Sequence, residues 1–240
     1  MESERKNWFW RTINLFRSFK ETGFEPRAVF DIGSSHSGWS YEVAKIFPEA
    51  SFHLFEPLLD RKTYYQENTA NILQARADFR VHKVAIGDMD GTIKMGLDEA
   101  GYGSSTLVTQ TNANFTEIAE VPIRRLDTIV FEKGLPRPEV LKMDVQGSEL
   151  AVLTGAGSLL DTIQLIQAEA WLMRKYGPDT PLLHELIEYL SAKGFLVIAF
   201  GDFYYGDLHE LFALDVFFAR AELLSRCAAK LPTTSLTGEE

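Results

Sequence analysis

The stretch Ala28-Val-Phe-Asp-Ile-Gly-Ser-Ser-His-Ser-Gly-Trp39 constrains the chain most. Ala28, Val29 and Phe30 form an apolar run that enters Asp31. A small-residue turn follows from Gly33 to Gly38, and Trp39, Val43, Ile46 and Phe47 then recur at helical spacing. The pattern predicts strand, tight turn and helix. In open α/β folds the first such turn receives a nucleotide-like ligand. The helix N-terminus presents unpaired N–H groups there, and glycine admits the ligand to the backbone.

Phosphate chemistry fits this turn poorly. A dinucleotide fingerprint has Gly where Ser35 stands, and a phosphate loop has Lys where Trp39 follows Gly38. Asp31 adds a negative charge, which repels a pyrophosphate and suits an ammonium or sulfonium group. S-adenosylmethionine carries both cations and no phosphate. Past the helix, Pro48 ends the periodic pattern and Ser51-Phe-His-Leu-Phe-Glu56-Pro57 reads as a second strand with an acidic end. Glu56 stands near the spacing at which a carboxylate at the next strand's tip holds the two hydroxyls of an adenosine ribose.

Composition narrows the partners. The chain has 240 residues, 45% of them hydrophobic, enough to bury one domain's core, and a formal net charge of −10. That balance disfavours a nucleic-acid or anionic-membrane surface and favours a small or neutral substrate. One cysteine, Cys227, excludes an internal disulfide framework. Charged residues occupy the start of the chain, and no run is long enough to span a bilayer. A cytoplasmic location is the expectation.

Residues 1–24 are expected to form an N-terminal amphipathic helix on Trp8, Phe9, Ile13, Phe16 and Phe19. It serves as a cap packed on the domain's own surface or as a lid, homo-oligomer contact or membrane contact. The main domain is assigned to 25–222, with a hairpin-like insertion near 88–126, and 223–240 to a tail. The spacing predicts a helix over Tyr64–Ala77, a third strand over Phe79–Ile86 and a turn over Gly87–Gly91. A short strand over Thr92–Leu97, a loop over Gly101–Thr106 and an edge strand over Val121–Leu126 follow. Pro138–Asp144 reads as the next strand and opens a helix in which Ser148 caps and Glu149 sits in the first turn. Gln164–Ala170 reads as a strand with Glu169 near its end. Thr180 caps a helix with Pro181 in its first position, which Gly194 stops, and Phe195–Phe200 and Leu214–Ala219 are the last strands.

Asp31-Ile-Gly-Ser, Phe55-Glu-Pro57, Val84-Ala-Ile-Gly-Asp, Arg125-Leu-Asp127 and above all Leu141-Lys-Met-Asp-Val-Gln-Gly-Ser-Glu149 with Val152-Leu-Thr-Gly-Ala156 resemble the FkbM-type SAM-dependent methyltransferases. The resemblance runs from about Ala28 to about Phe218. It implies a Rossmann-like α/β fold of class I methyltransferases, with a seven-stranded, mostly parallel sheet, helices on both faces and one antiparallel strand at Leu214–Ala219. It also implies O-methylation of a sugar or natural-product hydroxyl. Carried over by position, Asp31, Gly33 and Ser34 face the methionine part of the cofactor, Glu56 its ribose, and Pro57 with Ala85 its adenine. Gly38 closes the same turn. Gln146 stands where a carboxylate is common in the family.

Methyl transfer needs the acceptor oxygen held in line with the methyl group and somewhere for its proton to go. Asp144, Glu169 and Glu149 all belong near the sheet's ligand edge, and Asp144 ranks first as base; His36 in the turn is a further candidate. No spacing demands a divalent metal, and metal dependence stays unassigned. Two other classes fit less of the pattern: a non-catalytic SAM-binding or scaffold protein, and a nicotinamide-dependent oxidoreductase, which the missing middle glycine and Asp31 oppose.

Overall fold

Strand alternation decides the layers. In a computed structural model, which describes residues 10–76, 78–99, 103–108 and 115–230, Ala28, Phe30 and Ile32 of strand β1 (Ala28–Ile32) point into one core and Val29 into another. Strand β7 (Val140–Met143) repeats the pattern, with Leu141 and Met143 on the first side and Val140 on the second. A sheet apolar on both faces must be covered on both. The first face receives α4 (Leu126–Lys133), α5 (Glu149–Ala156) and α6 (Leu183–Ser191); the second receives α1 (Trp10–Glu21), α2 (Gly38–Ala44) and α7 (Ala221–Ala228).

The sheet has seven strands in the order β3-β2-β1-β7-β8-β10-β9. The others are β2 (Ser51–Phe55), β3 (Arg80–His82), β8 (Leu165–Trp171), β9 (Phe195–Tyr205) and β10 (Leu211–Arg220). Strands β3, β2, β1, β7 and β8 pair in parallel, and β10 alone runs antiparallel to its neighbours β8 and β9. The order reverses between β1 and β7, and a crevice opens at such a switch point. Helix α3 (Thr63–Ala75) follows β2. Strands β4 (Ala85–Gly87), β6 (Glu117–Arg125) and β5 (Gly91–Leu97) form a second, three-stranded sheet that packs on α5. A Cβ on Gly155 of α5 would lie 1.8 Å from the carbonyl oxygen of Gly87, so glycine there permits the contact.

Four local expectations are corrected. Phe79–Ile86 is two strands: a tight turn in which Val84 N–H donates to His82 O at 3.0 Å sends the chain from one sheet to the other. Val121–Leu126 belongs to the middle strand of the small sheet, because β5 and β4 take both its sides, and Leu126 starts α4. Ser148 does not cap α5, since its hydroxyl lies 2.6 Å from that of Thr106. Thr180 does not cap α6: its hydroxyl accepts the Tyr176 N–H, and the helix begins at Leu183 with Glu185 accepting the Leu182 N–H.

Ile13, Phe16 and Phe19 of α1 are buried in the second core, so this part of the expected stripe packs on the domain itself. Leu223 and Cys227 of α7 are buried there too, which ties residues past 222 to the body. Trp8 and Phe9, Ala77, Gly101 and Tyr102, and residues Leu231–Glu240 of the expected tail lie outside the described residues. No helix among the described residues is long and apolar enough to cross a membrane.

Candidate active site

The crevice at the switch point is a cavity of about 700 Å³. The ends of β1, β2, β7 and β8 form its floor, and β4, the residues 103–106 and the β9–β10 end form its walls. The expected insertion therefore contributes a wall, through Met95, Gly103, Ser104 and Thr106.

One half is apolar with a carboxylate set into it. Phe55, Leu58, Tyr65, Val84, Ala85, Ile86 and Met95 line it, with Pro57 beside them. Glu56 is 5% exposed; its Oε2 accepts the Ser35 N–H and its Oε1 the Leu58 N–H, both at 2.8 Å. Burial pushes its carboxyl up to about 7, against the pull of those two N–H groups. A carboxylate accepts about four hydrogen bonds, so each oxygen retains capacity for a ligand donor. Gly33 lines the cavity where β1 turns, at φ +75, and a Cβ there would meet the Asp144 carbonyl oxygen at 1.9 Å.

Asp31 requires a correction. It is fully buried beneath the turn and does not line the cavity. Alternation turns it to the α2 face, where Ser40 Oγ donates to its Oδ2 at 2.7 Å and Lys142 Nζ lies 3.0 Å from its Oδ1. Its charge is met by the protein, so it is not offered to a cationic ligand. Asp31, Lys142 and Gln167 stand in register on three adjacent strands, and Trp39 Nε1 donates to Gln167 Oε1 at 2.9 Å. Helix α2 thus docks on a polar row through Trp39 and Ser40. Ser34 and Gly38 also lie off the lining: Ser34 is buried, and Gly38 opens α2 close against the His36 ring.

The other half holds the acids. Asp144, Gln146 and Glu169 line it beside the aromatic walls Trp171, Tyr176, Tyr204 and Phe212, with the Lys175 ammonium 3.7 Å from the Phe212 ring centroid. Burial, then the neighbouring Asp144 and Glu149, push the Glu169 carboxyl well above the usual carboxylate range. The Asp144 side chain is 43% exposed, with Lys142 Nζ at 3.5 Å from its Oδ2. Lys142 also donates to the Gly33 carbonyl at 2.7 Å. Burial works against that ammonium, but Asp31 and Asp144 outweigh it and raise its proton affinity.

Glu149 does not line the cavity; it is fully buried, with Oε1 accepting the N–H groups of Val145 and Gly147. The structure therefore brings together Gly33, Glu56, Pro57, Ala85, Asp144 and Glu169 at the cavity, and leaves Asp31, Ser34, Gly38 and Glu149 beneath it. His36 lines it as well, its ring 5.4 Å from that of Tyr64. Lys142 escaped the sequence argument, although a lysine inside a fully buried strand signals a buried partner. Tyr176 lies in an irregular connection and carries no periodic signal. Among the described residues no cluster of His, Cys, Asp or Glu is arranged to hold a metal ion.

A family model described as the methyltransferase FkbM domain matches residues 31–197. Among solved structures, a methyltransferase FkbM from Methylobacillus flagellatus KT is similar with TM-score 0.52 and 16% identity, over 81% of this chain and 43% of that one. The chain thus spans less than half of that protein's length. Magnesium protoporphyrin IX methyltransferase from Synechocystis PCC 6803, solved with bound SAM, gives TM-score 0.47 at 9% identity, covering 88% and 79% of the two chains. Precorrin-6y C5,15-methyltransferase from Geobacter metallireducens GS-15 gives 0.43 at 12%, covering 85% and 86%. At these identities only the first likeness bears weight, and it concerns the fold alone. Among curated proteins no significant match is found.

Proposed function

Because the chain belongs to the FkbM methyltransferase family, we propose that it transfers a methyl group from S-adenosylmethionine to a hydroxyl oxygen of a small glycan or natural-product acceptor. The observation that carries the reading is the division of one cavity into an apolar half holding Glu56 and an acidic, aromatic half holding Asp144 and Glu169. The apolar half fits the adenosyl group: apolar walls suit the base, and Glu56 has lone pairs for the ribose hydroxyls. Gly33 would border the methionine part.

S-adenosylmethionine supplies a methyl carbon bonded to a positively charged sulfur. The chain's own residues do the rest. Aromatic walls seat a ring-shaped acceptor and keep water from it. Glu169, whose buried carboxyl binds a proton readily, takes the hydroxyl proton. Asp144, beside the Lys142 ammonium, orients the hydroxyl. This assignment moves the base from Asp144 to Glu169, on burial. Glu149 serves the Gly147 turn.

Calorimetric titration with S-adenosylmethionine and S-adenosylhomocysteine tests the first half of the reading. Glu56→Ala is expected to weaken both affinities about tenfold or more, as loss of a hydrogen bond to a charged group does. Equal affinity in wild type and variant removes Glu56 from the site. Mass spectrometry on a panel of glycosides and hydroxylated natural products then reads methyl addition, which Glu169→Gln should abolish.

A further inference from the structure

We propose that Gln146 is a positioning residue for the transfer step: its carboxamide ties Asp144 and Glu169 into one fixed pair at the acceptor end, and Tyr176 fixes which way that carboxamide points. The proposal rests on the methyl-transfer reading for its purpose, and on hydrogen-bond geometry for its substance.

Gln146 Nε2 lies 2.9 Å from Asp144 Oδ1 and 2.9 Å from Glu169 Oε2. A primary amide has two N–H bonds, and here each goes to a different carboxylate. Tyr176 donates its hydroxyl to Gln146 Oε1 at 2.7 Å. Turned over, the amide would set its oxygen against two carboxylate oxygens, lone pair against lone pair. One orientation alone satisfies all three partners.

The backbone is held as firmly as the side chain. Gln146 sits at φ +55, in the left-handed region, followed by Gly147 at φ +94. A non-glycine residue stays there only when its surroundings over-determine it. Ser105 Oγ supplies one such restraint, donating to the Gln146 carbonyl at 2.6 Å.

Charge explains why an amide serves at this position. Glu169 is faced by Asp144, Glu149 and Asp215, whose charges raise its proton affinity, and by Lys142, whose charge lowers it. Tyr176 and Tyr204 stand close enough for the Glu169 charge to act on their hydroxyls. A carboxylate at 146 would add a negative charge in hydrogen-bond reach of two others and offer no donor to either. The neutral amide lets both acids aim at one acceptor oxygen.

The test uses the full chain with ¹³C-labelled Asp and Glu carboxyls, the Glu169 signal being assigned by its loss in Glu169→Gln. Gln146→Glu is expected to move the Glu169 titration upward by about one pH unit or more. Gln146→Leu, which removes the donors, should move it in the same direction, and Tyr176→Phe should move it less. A Glu169 titration that stays at its wild-type position in the folded variants overturns the proposal. If both Gln146 variants fail to fold, Tyr176→Phe decides alone: a shift supports the clamp and no shift overturns it. S-adenosylhomocysteine titration runs in parallel on wild type. Failure to bind it overturns the methyl-transfer purpose, whereas an unmoved Glu169 overturns only the clamp.

Discussion

Lys142 and Asp31 face one another across the β7–β1 pair, Nζ 3.0 Å from Oδ1, with neither side chain more than 8% exposed. Two opposite charges removed from water together are tolerable, whereas either alone is not. The same ammonium reaches the Gly33 carbonyl and Asp144, so one buried cation braces the strand, the turn and the cavity.

Lys142→Met is therefore expected to cost about 3–5 kcal/mol, the range for breaking a buried pair from one side. Urea unfolding measures it. Adding Asp31→Asn should return part of the loss, because the orphaned charge is gone. A single variant as stable as wild type would show that the pair does not brace the fold.

Glu149 gives the stability curve a direction. Burial pushes its carboxyl up to about 7, so the folded chain holds a proton that the unfolded chain releases near its ordinary value of 4.5. Stability from this group is present below the unfolded value and is lost as pH rises toward 7. Glu149→Gln, which mimics the protonated form, should gain on wild type by on the order of 3 kcal/mol between pH 4.5 and 7.5. Parallel denaturant curves at several pH values read the difference, and a constant gap refutes the assignment.

At the acid end, His53 and His82 act in the opposite sense. Their rings stack with Nδ1 and Nε2 3.2 Å apart, and burial lowers both to about 4. Folding holds them neutral, so stability is expected to fall as pH drops from about 6.5 toward 4. His82→Phe, which keeps the stack on Phe55, should flatten that limb of the melting-temperature profile.

Gly33→Ala is expected to be severe. The left-handed backbone and the Asp144 carbonyl oxygen 1.9 Å from the new Cβ both oppose it, and one strained residue alone costs about 1–3 kcal/mol. S-adenosylhomocysteine affinity should fall together with thermal stability. A well-folded variant with full affinity would mean that β1 and β7 separate freely at this point.

Phe16→Ala tests whether α1 belongs to the core. Phe16 is fully buried and meets Trp39, Phe47 and Phe217 edge-on at centroid distances of 5.9, 5.9 and 6.4 Å. A cavity left by such a ring costs about 3–5 kcal/mol. Trp10→Ala, half exposed on the same helix, should cost far less, and equal losses would place the helix elsewhere.

Local pattern made much of this protein legible in its sequence. The apolar run before Gly33, the helical recurrence after Trp39 and the acidic end of Phe52–Glu56 are short-range signals, and each element formed where its period said. The antiparallel strand near Leu214–Ala219 came from the family resemblance, and it also holds. Short-range signals failed at the boundaries that other elements set. Thr180 has the chemistry of a cap but is taken by Tyr176, and Val121–Leu126 looked like an edge because the strands on either side of it come from separate stretches of chain.

What the sequence by itself determined was which residue types stand at strand tips and turns, because spacing and steric preference act within a few residues. Only the tertiary structure decided what each charge meets. Asp31, one residue inside the end of β1, and Glu56, one residue past the end of β2, read alike in the sequence, yet register sets a lysine beside one and leaves the other facing the cavity. Gln146 became a hub for the same reason: crossover connections bring β7, β8 and the Tyr176 turn to one point, and burial there turns ordinary side chains into partners.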